Sequence, residues 1–388
     1  MKINNILVIF VSIILLCGCT QCSDSSINKS RNGNGGIEIP LDYAELLQME
    51  EVGEGRILCR ILDPWRSERV MMQYLLVPKD DKDWYEKEED SYSTKYGEST
   101  LLRTPLERMT ITASCHAWLL SQLEALDNIA IMCDTVFVNA RNIKEWMRGT
   151  KSNGEPQILD AGTTSKPNIE VLVAGNTDAI WISPYENSTL GNLDKLSVPV
   201  IYCAEYMETT PLARAEWMKF YGRLVGRAEK TDSLFNAISN RYEKLSNNSE
   251  NGKKILVDLP YGATWYVPGG CSTSARLYED AGFNYPWAAD THSGSLSLSK
   301  EAVLSKAQDC DIWCIRYMDS QKDMTMEDFK SQNVFFEQFK AAQEDNVWGC
   351  NTAYSDFFDV TPFRPDSLLN SFIKMDGAFY KKILSSED

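Results

Sequence analysis

Two stretches of this chain, about 130 residues apart, give the same local instructions: "PNIEVLVAGNTDAIWIS" (167–183) and "LSKEAVLSKAQDCDIWCI" (298–315). Each has a capping side chain, Asn168 or Ser299, and a glutamate two residues on, Glu170 or Glu301. An apolar run follows, then an acidic residue and an Ile-Trp pair that opens a β-rich segment. A capped helix feeding a buried strand is one half of a βα unit. Written twice, it predicts two α/β lobes on one plan. Either glutamate alone needs no function, because a carboxylate in a first helical turn is favoured by the helix dipole.

The text around both copies has the same texture. From Arg103, strand-like "MTITAS", "IAIMC", "AIWIS" and "VPVIYC" alternate with helix-like "HAWLLSQLEAL", "PNIEVLVAG" and "PLARAEWMKFYGRLVG", the last with Pro211 in its first turn. Then comes "RAEKTDSLFNAISNRYEKLSNN", in which Leu234, Phe235, Ile238, Tyr242 and Leu245 share one face. About twenty residues make a rod of roughly 30 Å. Alternation resumes with "KILVDLP", "TWYVPGG", "SARLYEDAGF", "DIWCIRY" and "DFKSQNVFFEQFKAAQ". The fold expected is α/β, two lobes with mainly parallel sheets bridged by one long helix. The boundaries expected are 38–227 for the first lobe, 228–248 for the bridge and 249–388 for the second. Ahead of the alternation, "GRILCRILDPWRSERVMMQYLLVPKD" reads as a hairpin, and "DDKDWYEKEEDSYSTKYGE" (80–98) as a charged loop.

The first residues belong to another category. "ILVIFVSIILLC" (6–17) is too short for a permanent span and suits a signal peptide, expected over 1–18. "LCGC" after it resembles a bacterial lipobox, with Cys19 as the lipidated residue, although its third-last position is Cys17 rather than Ala or Ser. Residues 19–37, rich in Gly, Asn and Ser, read as a flexible tether. Export permits disulfides. Apart from Cys19 and Cys22 at the expected lipidation site, the 11 cysteines nonetheless show no CxxC and no zinc spacing, so few or no structural disulfides are expected, and Cys310 and Cys314 read as core thiols.

Charge and motifs remove function classes. With 39 basic and 55 acidic residues the formal charge is −16, which argues against nucleic acid or an anionic lipid surface as the main partner. There is no GxSxG, HExxH or P-loop, and no GxGxxG after a strand; "VPGGCSTS" lacks a phosphate-loop lysine. An enzyme is therefore not expected. Only two histidines exist, which excludes a bare metal site built from several of them.

The segments "PNIEVLVAGNTDAIWISPYEN", "VPVIYCAEYMETTPLARAEWMKFYGRLVGRAEKTDSLF", "WYVPGGCSTSARLYEDAG" and "DNVWGCNTAYSDFF" together resemble the substrate-binding proteins that deliver iron siderophores, haem or cobalamin to ABC importers (class III periplasmic binding proteins). The resemblance runs from about Arg103 to the end. The N-terminal text with "DPWRSERVMMQYLLVP" is similar to the lipoprotein branch of that family in Bacteroidetes. It implies a lipid-anchored, monomeric protein of the cell envelope, on the periplasmic side, with no intrinsic cofactor. Such a protein works with an ABC permease dimer and its ATPase, and its ligand is an iron chelate, haem or a corrinoid.

The resemblance also implies that Glu170 and Glu301 dock on the permease. Thr177-Asp178 and Cys310-Asp311 stand where the family has Pro-Asp, a departure that leaves both glutamates in place. Ligand-cleft candidates follow from the loops after strands: Ser114, Cys115, His116, Trp118, Tyr185, Glu186, Tyr206 and Glu208 in the first lobe, and Trp265, Tyr266, His292, Arg316 and Tyr317 in the second. Aromatics with a few polar groups suit a large flat ligand. Haem would need one axial His or Tyr and cobalamin no protein ligand, whereas an anionic ferric chelate would want a cation such as Arg316. A surface or sensory lipoprotein that binds haem or corrinoid without a permease is the alternative. A single bridging helix implies small movements on ligand binding.

Overall fold

The structure, a computed structural model, describes residues 36–66, 69–186, 193, 196–249 and 251–386. The expected signal peptide, Cys19 and nearly all of the tether lie outside the described residues. No helix among the described residues is long and apolar enough to cross a membrane.

The first 70 described residues form a sheet of their own. Strands β1 (Ile37–Ile39), β2 (Leu47–Gly53), β3 (Arg56–Leu62) and β4 (Val70–Pro78) make an antiparallel meander, and β5 (Thr100–Thr104) joins β4 in parallel. This is larger than the hairpin expected. The stretch expected as a charged loop instead forms α1 (Lys82–Lys87) and α2 (Tyr92–Tyr96). The reason is tertiary. Asp81 caps α1 by accepting from Trp84 N–H, and buried Trp84 and Tyr96 cover Leu58, Leu75 and Val77 on one sheet face.

The opposite face joins the first lobe. There β6 (Met109–Ile111), β7 (Ile129–Met132), β8 (Leu159–Asp160), β11 (Ala179–Ile182) and β12 (Val200–Tyr202) form a wholly parallel sheet in the order β12-β11-β6-β7-β8. A small ribbon, β9 (Gly162–Thr163) with β10 (Lys166–Pro167), leads into α5 (Ile169–Ala174). Helices α3 (Ser114–Gln122) and α4 (Arg141–Met147) follow β6 and β7. The expected helix after β12 is divided at Trp217 into α6 (Pro211–Glu216) and α7 (Met218–Leu224), where Phe220 N–H bonds Trp217 C=O only three residues back. Buried Glu216 holds the N-terminal segment by accepting the N–H groups of Asp42, Tyr43 and Ala44 at 2.8–3.0 Å.

Helix α8 (Ala228–Ser246) is the bridge, about 28 Å long at 1.5 Å per residue. Its apolar face is the one legible in the sequence, and it enters two cores. Phe235 and Ile238 belong to the first, and Tyr242 to the second. Beyond it, β13 (Ile255–Val257), β16 (Ile312–Tyr317) and β17 (Val347–Asn351) form a second parallel sheet, edged by antiparallel β18 (Lys381–Lys382). A separate ribbon pairs β14 (Thr264–Pro268) with β15 (Ser295–Ser299). The helices of this lobe are α9 (Thr273–Asp280), α10 (Lys300–Ala307), α11 (Met326–Gln332), α12 (Lys340–Gln343), α13 (Phe357–Val360) and α14 (Pro365–Lys374).

The repeated segment performs the same task in each lobe. Asn168 accepts from the N–H groups of Glu170 and Val171, and Ser299 from that of Ala302, so both helices are capped. Asp178 then accepts from the N–H groups of Glu107 and Arg108 at the start of β6, and Asp311 from Lys254 N–H at the start of β13. Each aspartate therefore ties its strand to the parallel neighbour. All eight described cysteines are free thiols, and Cys310 and Cys314 are buried.

Candidate functional site

In a parallel sheet the C-terminal ends of the strands share one edge, and ligands of open α/β sheets bind in the crevice beyond that edge. Here two such edges are joined. Asn139, between β7 and α4, donates its side-chain amide to Thr352 C=O after β17 at 2.8 Å. Asp359 on α13 reaches back and accepts the N–H groups of Asn139 and Ala140 through one oxygen, Oδ2, at 2.7 and 2.5 Å. Thr273 Oγ1 at the start of α9 donates to Glu208 C=O in the first lobe at 2.6 Å. Phe363, just before α14, is buried in the first core.

Around this seam the strand ends expose apolar side chains that ordinary packing would cover. Val136 and Phe137 follow β7, Tyr185 follows β11, Tyr261 follows β13, Met318 follows β16, and Tyr354 and Phe358 follow β17; each is more than half exposed. Exposed large apolar side chains at the C-terminal ends of parallel strands are candidate ligand contacts. Of these only Tyr185 was among the sequence candidates. The signal for the others was an aromatic or Met in the loop after a parallel strand, which becomes a signal only when the strand direction is known.

The remaining candidates divide by burial. Tyr206 lies beside Tyr185, its hydroxyl bonded to Pro184 C=O, and Glu186 is exposed on the same loop. Ser114 is half-buried at the start of α3, Tyr266 is about half exposed, and the Tyr317 hydroxyl oxygen accepts from Met324 N–H at 3.0 Å. His292 is exposed and its ring faces Asp290 at 3.0 Å. The loop that carries it lies against Gly269 and Gly270. A Cβ at either glycine would stand 2.3 Å from a carbonyl, that of His292 or Asp290, so "VPGG" exists for close backbone approach.

Three candidates are corrected and a fourth is already paired. Trp118 is buried in the first core, and Trp265 in the second, stacked on Trp313 with its N–H on Val257 C=O; neither reaches the rim. Glu208 is buried and accepts from Glu45 N–H, Leu46 N–H and Trp217 Nε1, so it anchors the N-terminal segment; burial raises its pKa. Arg316 forms a two-pronged pair with Asp258 at 2.9 and 2.6 Å. Burial opposes its charge, but Asp258 outweighs that and raises its pKa above the ordinary arginine value. The guanidinium is already partnered.

Cys115 and His116 also turn inward. They meet Glu205, which the sequence reading did not single out, in a buried cluster. Burial alone would raise the Glu205 carboxyl, yet His116, Arg214 and the Tyr221 hydroxyl hold it down at about 2.

Glu170 and Glu301 are exposed on the first turns of α5 and α10. Each helix runs back toward the start of its strand, so each first turn lies on the side where the strands end. The Glu301 carboxyl is lowered by its own backbone N–H and by the Ser299 hydroxyl. A recess of about 390 Å³ on the N-terminal sheet is lined by Lys79, Lys82, Tyr85, Glu86 and Arg103. Lys79 pairs with Glu107 and Arg103 with Glu89, which leaves those two cations compensated.

Residues 135–354 match the family model described as periplasmic binding protein. An uncharacterized lipoprotein of Methanocaldococcus jannaschii is 23% identical over 94% of this chain and 89% of its own length, a span that takes in most of the N-terminal sheet. Among solved structures, an ABC-type Fe3+-hydroxamate transport protein from Saccharomonospora viridis aligns with a TM-score of 0.54 and 19% identity, over 73% of this chain and 96% of that one. The periplasmic haem-binding protein HutB of Vibrio cholerae aligns with a TM-score of 0.53 and 14% identity, over 69% and 98%. At such identities the structural likeness establishes a shared fold.

Proposed function

Because the chain belongs to the periplasmic binding protein family, we propose that it is the lipid-anchored substrate-binding component of an ABC importer and captures a metal chelate between its lobes. The observation that carries this reading is the rim of exposed Phe, Tyr, Val and Met side chains at the facing strand ends. Flat apolar surface of that kind suits an aromatic or greasy ligand face. Arg316 is held by Asp258, so the rim cation expected for an anionic chelate is neutralised. The ligand class is therefore a neutral or weakly charged complex, a corrinoid or a neutral ferric hydroxamate, ahead of an anionic ferric catecholate. Delivery uses Glu170 and Glu301 as two carboxylates at a spacing fixed by α8, contributing orientation and encounter rate.

Two measurements test this. Tryptophan quenching should detect a corrinoid or neutral hydroxamate and give no saturable signal with a catecholate; the reverse order defeats the ligand assignment. Charge reversal at Glu170 and Glu301 together should abolish uptake and leave ligand affinity unchanged. Normal uptake by that variant would defeat the docking role and favour a capture or sensory lipoprotein.

A further inference from the structure

Behind the apolar rim, where α3 meets the loop after β12, lies a polar group that ligand capture does not use. Cys115 Sγ, a His116 ring nitrogen and a Glu205 carboxylate oxygen all lie within 4.8 Å of one another, and all three residues are buried. His116 is 0% exposed. Its ring is enclosed by Trp181, Tyr221 and Phe363, at centroid distances of 5.4, 5.1 and 6.1 Å. Nε2 approaches Glu205 Oε1 to 3.3 Å, but the alignment is poor, and neither ring nitrogen has a hydrogen-bond partner. Glu205 is fixed from its other side, where Oε2 accepts the Tyr221 hydroxyl at 2.7 Å.

A buried imidazole with both nitrogens unpartnered is costly and uncommon. Two ligand atoms 3.3 Å apart that do not point at each other are the arrangement expected when both point at a third atom. We propose that Cys115, His116 and Glu205 form a resident site for a divalent transition metal of the zinc class. One sulfur, one nitrogen and one oxygen are ligands that zinc accepts in tetrahedral sites, with a fourth position left over.

Charge supports this assignment. Glu205, Arg214 and Asp359 all act electrostatically on Cys115. Two carboxylates, Glu205 and Asp359, thus stand against the one guanidinium of Arg214 around the thiol. Binding M2+ to the thiol releases one proton, forms one metal–sulfur bond and adds a net single positive charge, which closes the balance. An imidazolium would supply the same charge without a metal, and that is the competing assignment. Phe363, buried in the first core just before α14, packs against one side of the ring. The site is distinct from ligand capture, because its three donors face the first core and not the rim.

Cobalt(II) is the probe. The full chain, stripped with a chelator, should take up one Co2+ per chain, show a thiolate-to-cobalt charge-transfer band in the near ultraviolet, and lose it when zinc is added. Cys115→Ser should abolish the band and weaken binding at least 100-fold. Cys271→Ser, at the exposed thiol of the second lobe, should change neither. If Cys115→Ser does not fold, X-ray absorption on the cobalt-loaded natural chain decides: one sulfur among nitrogen and oxygen neighbours supports the site, and a shell without sulfur overturns it. Failure to bind cobalt or zinc stoichiometrically also overturns it and assigns the cluster to an imidazolium–carboxylate pair.

Discussion

Asp359 is the best place to perturb the seam between the lobes. It is buried on α13, and its Oδ2 alone accepts the N–H groups of Asn139 and Ala140, while Oδ1 has no partner. Asp359→Ala removes both bonds and leaves two backbone donors facing a void. Hydrogen bonds to a charged group contribute about 1.5–3 kcal/mol each. Two of them amount to roughly 3–6 kcal/mol, from which relief of a buried carboxylate's desolvation must be subtracted. A net loss of about 3 kcal/mol is expected.

Asp359→Asn is the sharper test. Its carbonyl oxygen can occupy the Oδ2 position and accept both N–H groups, and its amide takes the position of the unpartnered oxygen. The geometry is kept, but the charge is lost and a buried amide N–H gains no acceptor, so about 1–2 kcal/mol is expected, less than for Ala. Urea unfolding, with unchanged slope, measures both. Because these bonds join the lobes, Asp359→Ala should also weaken ligand binding about tenfold by populating the parted state. Equal losses for Ala and Asn, or an Ala variant within about 0.5 kcal/mol of the natural chain, would refute the reasoning.

Other consequences follow from single contacts. Phe137→Ala and Tyr354→Ala should each weaken ligand binding about tenfold, roughly 1.4 kcal/mol, with unchanged melting temperature, since both rings are more than half exposed; calorimetric titration and melting curves decide. Gly270→Ala would place a Cβ 2.3 Å from Asp290 C=O and 2.5 Å from Ala288 C=O, and should destabilise by about 3 kcal/mol in urea unfolding. Asp311 is held below its ordinary pKa of 3.8, first by the Lys340 ammonium and then by Lys254 N–H. Its contribution to stability is thus complete above that value and lost as pH falls below it. Asp311→Asn should lower stability at neutral pH and flatten the loss below about pH 4, as followed by circular dichroism.

Much of the architecture was legible because it is written locally. Caps, helical spacing and β-rich runs act over a few residues, so the two capped helices, the parallel strands and the buried face of α8 could be read directly. The site was legible only as a set of loops. Glu205, Val136, Phe137, Tyr261, Met318, Tyr354 and Phe358 were not singled out, and Trp118 and Trp265 were placed at the rim although they lie in the cores. Which way a side chain turns from a strand end depends on what packs behind it.

The repeated Ile-Trp pair shows the division well. Sequence alone determined that each lobe has a capped helix followed by a strand with an aspartate ahead of it. It did not determine where the tryptophans go. Counting from the aspartate, Trp181 is the third residue of its strand text and Trp313 the second. Successive side chains on a strand point to opposite faces, so the same two letters send their indoles to opposite sides of equivalent strands. Trp181 meets Tyr221 and His116, and Trp313 meets Trp265, Phe329 and Phe339. One residue of offset is trivial in the text. Only the paired sheets, by fixing register and the helices on each face, turn it into two different interiors.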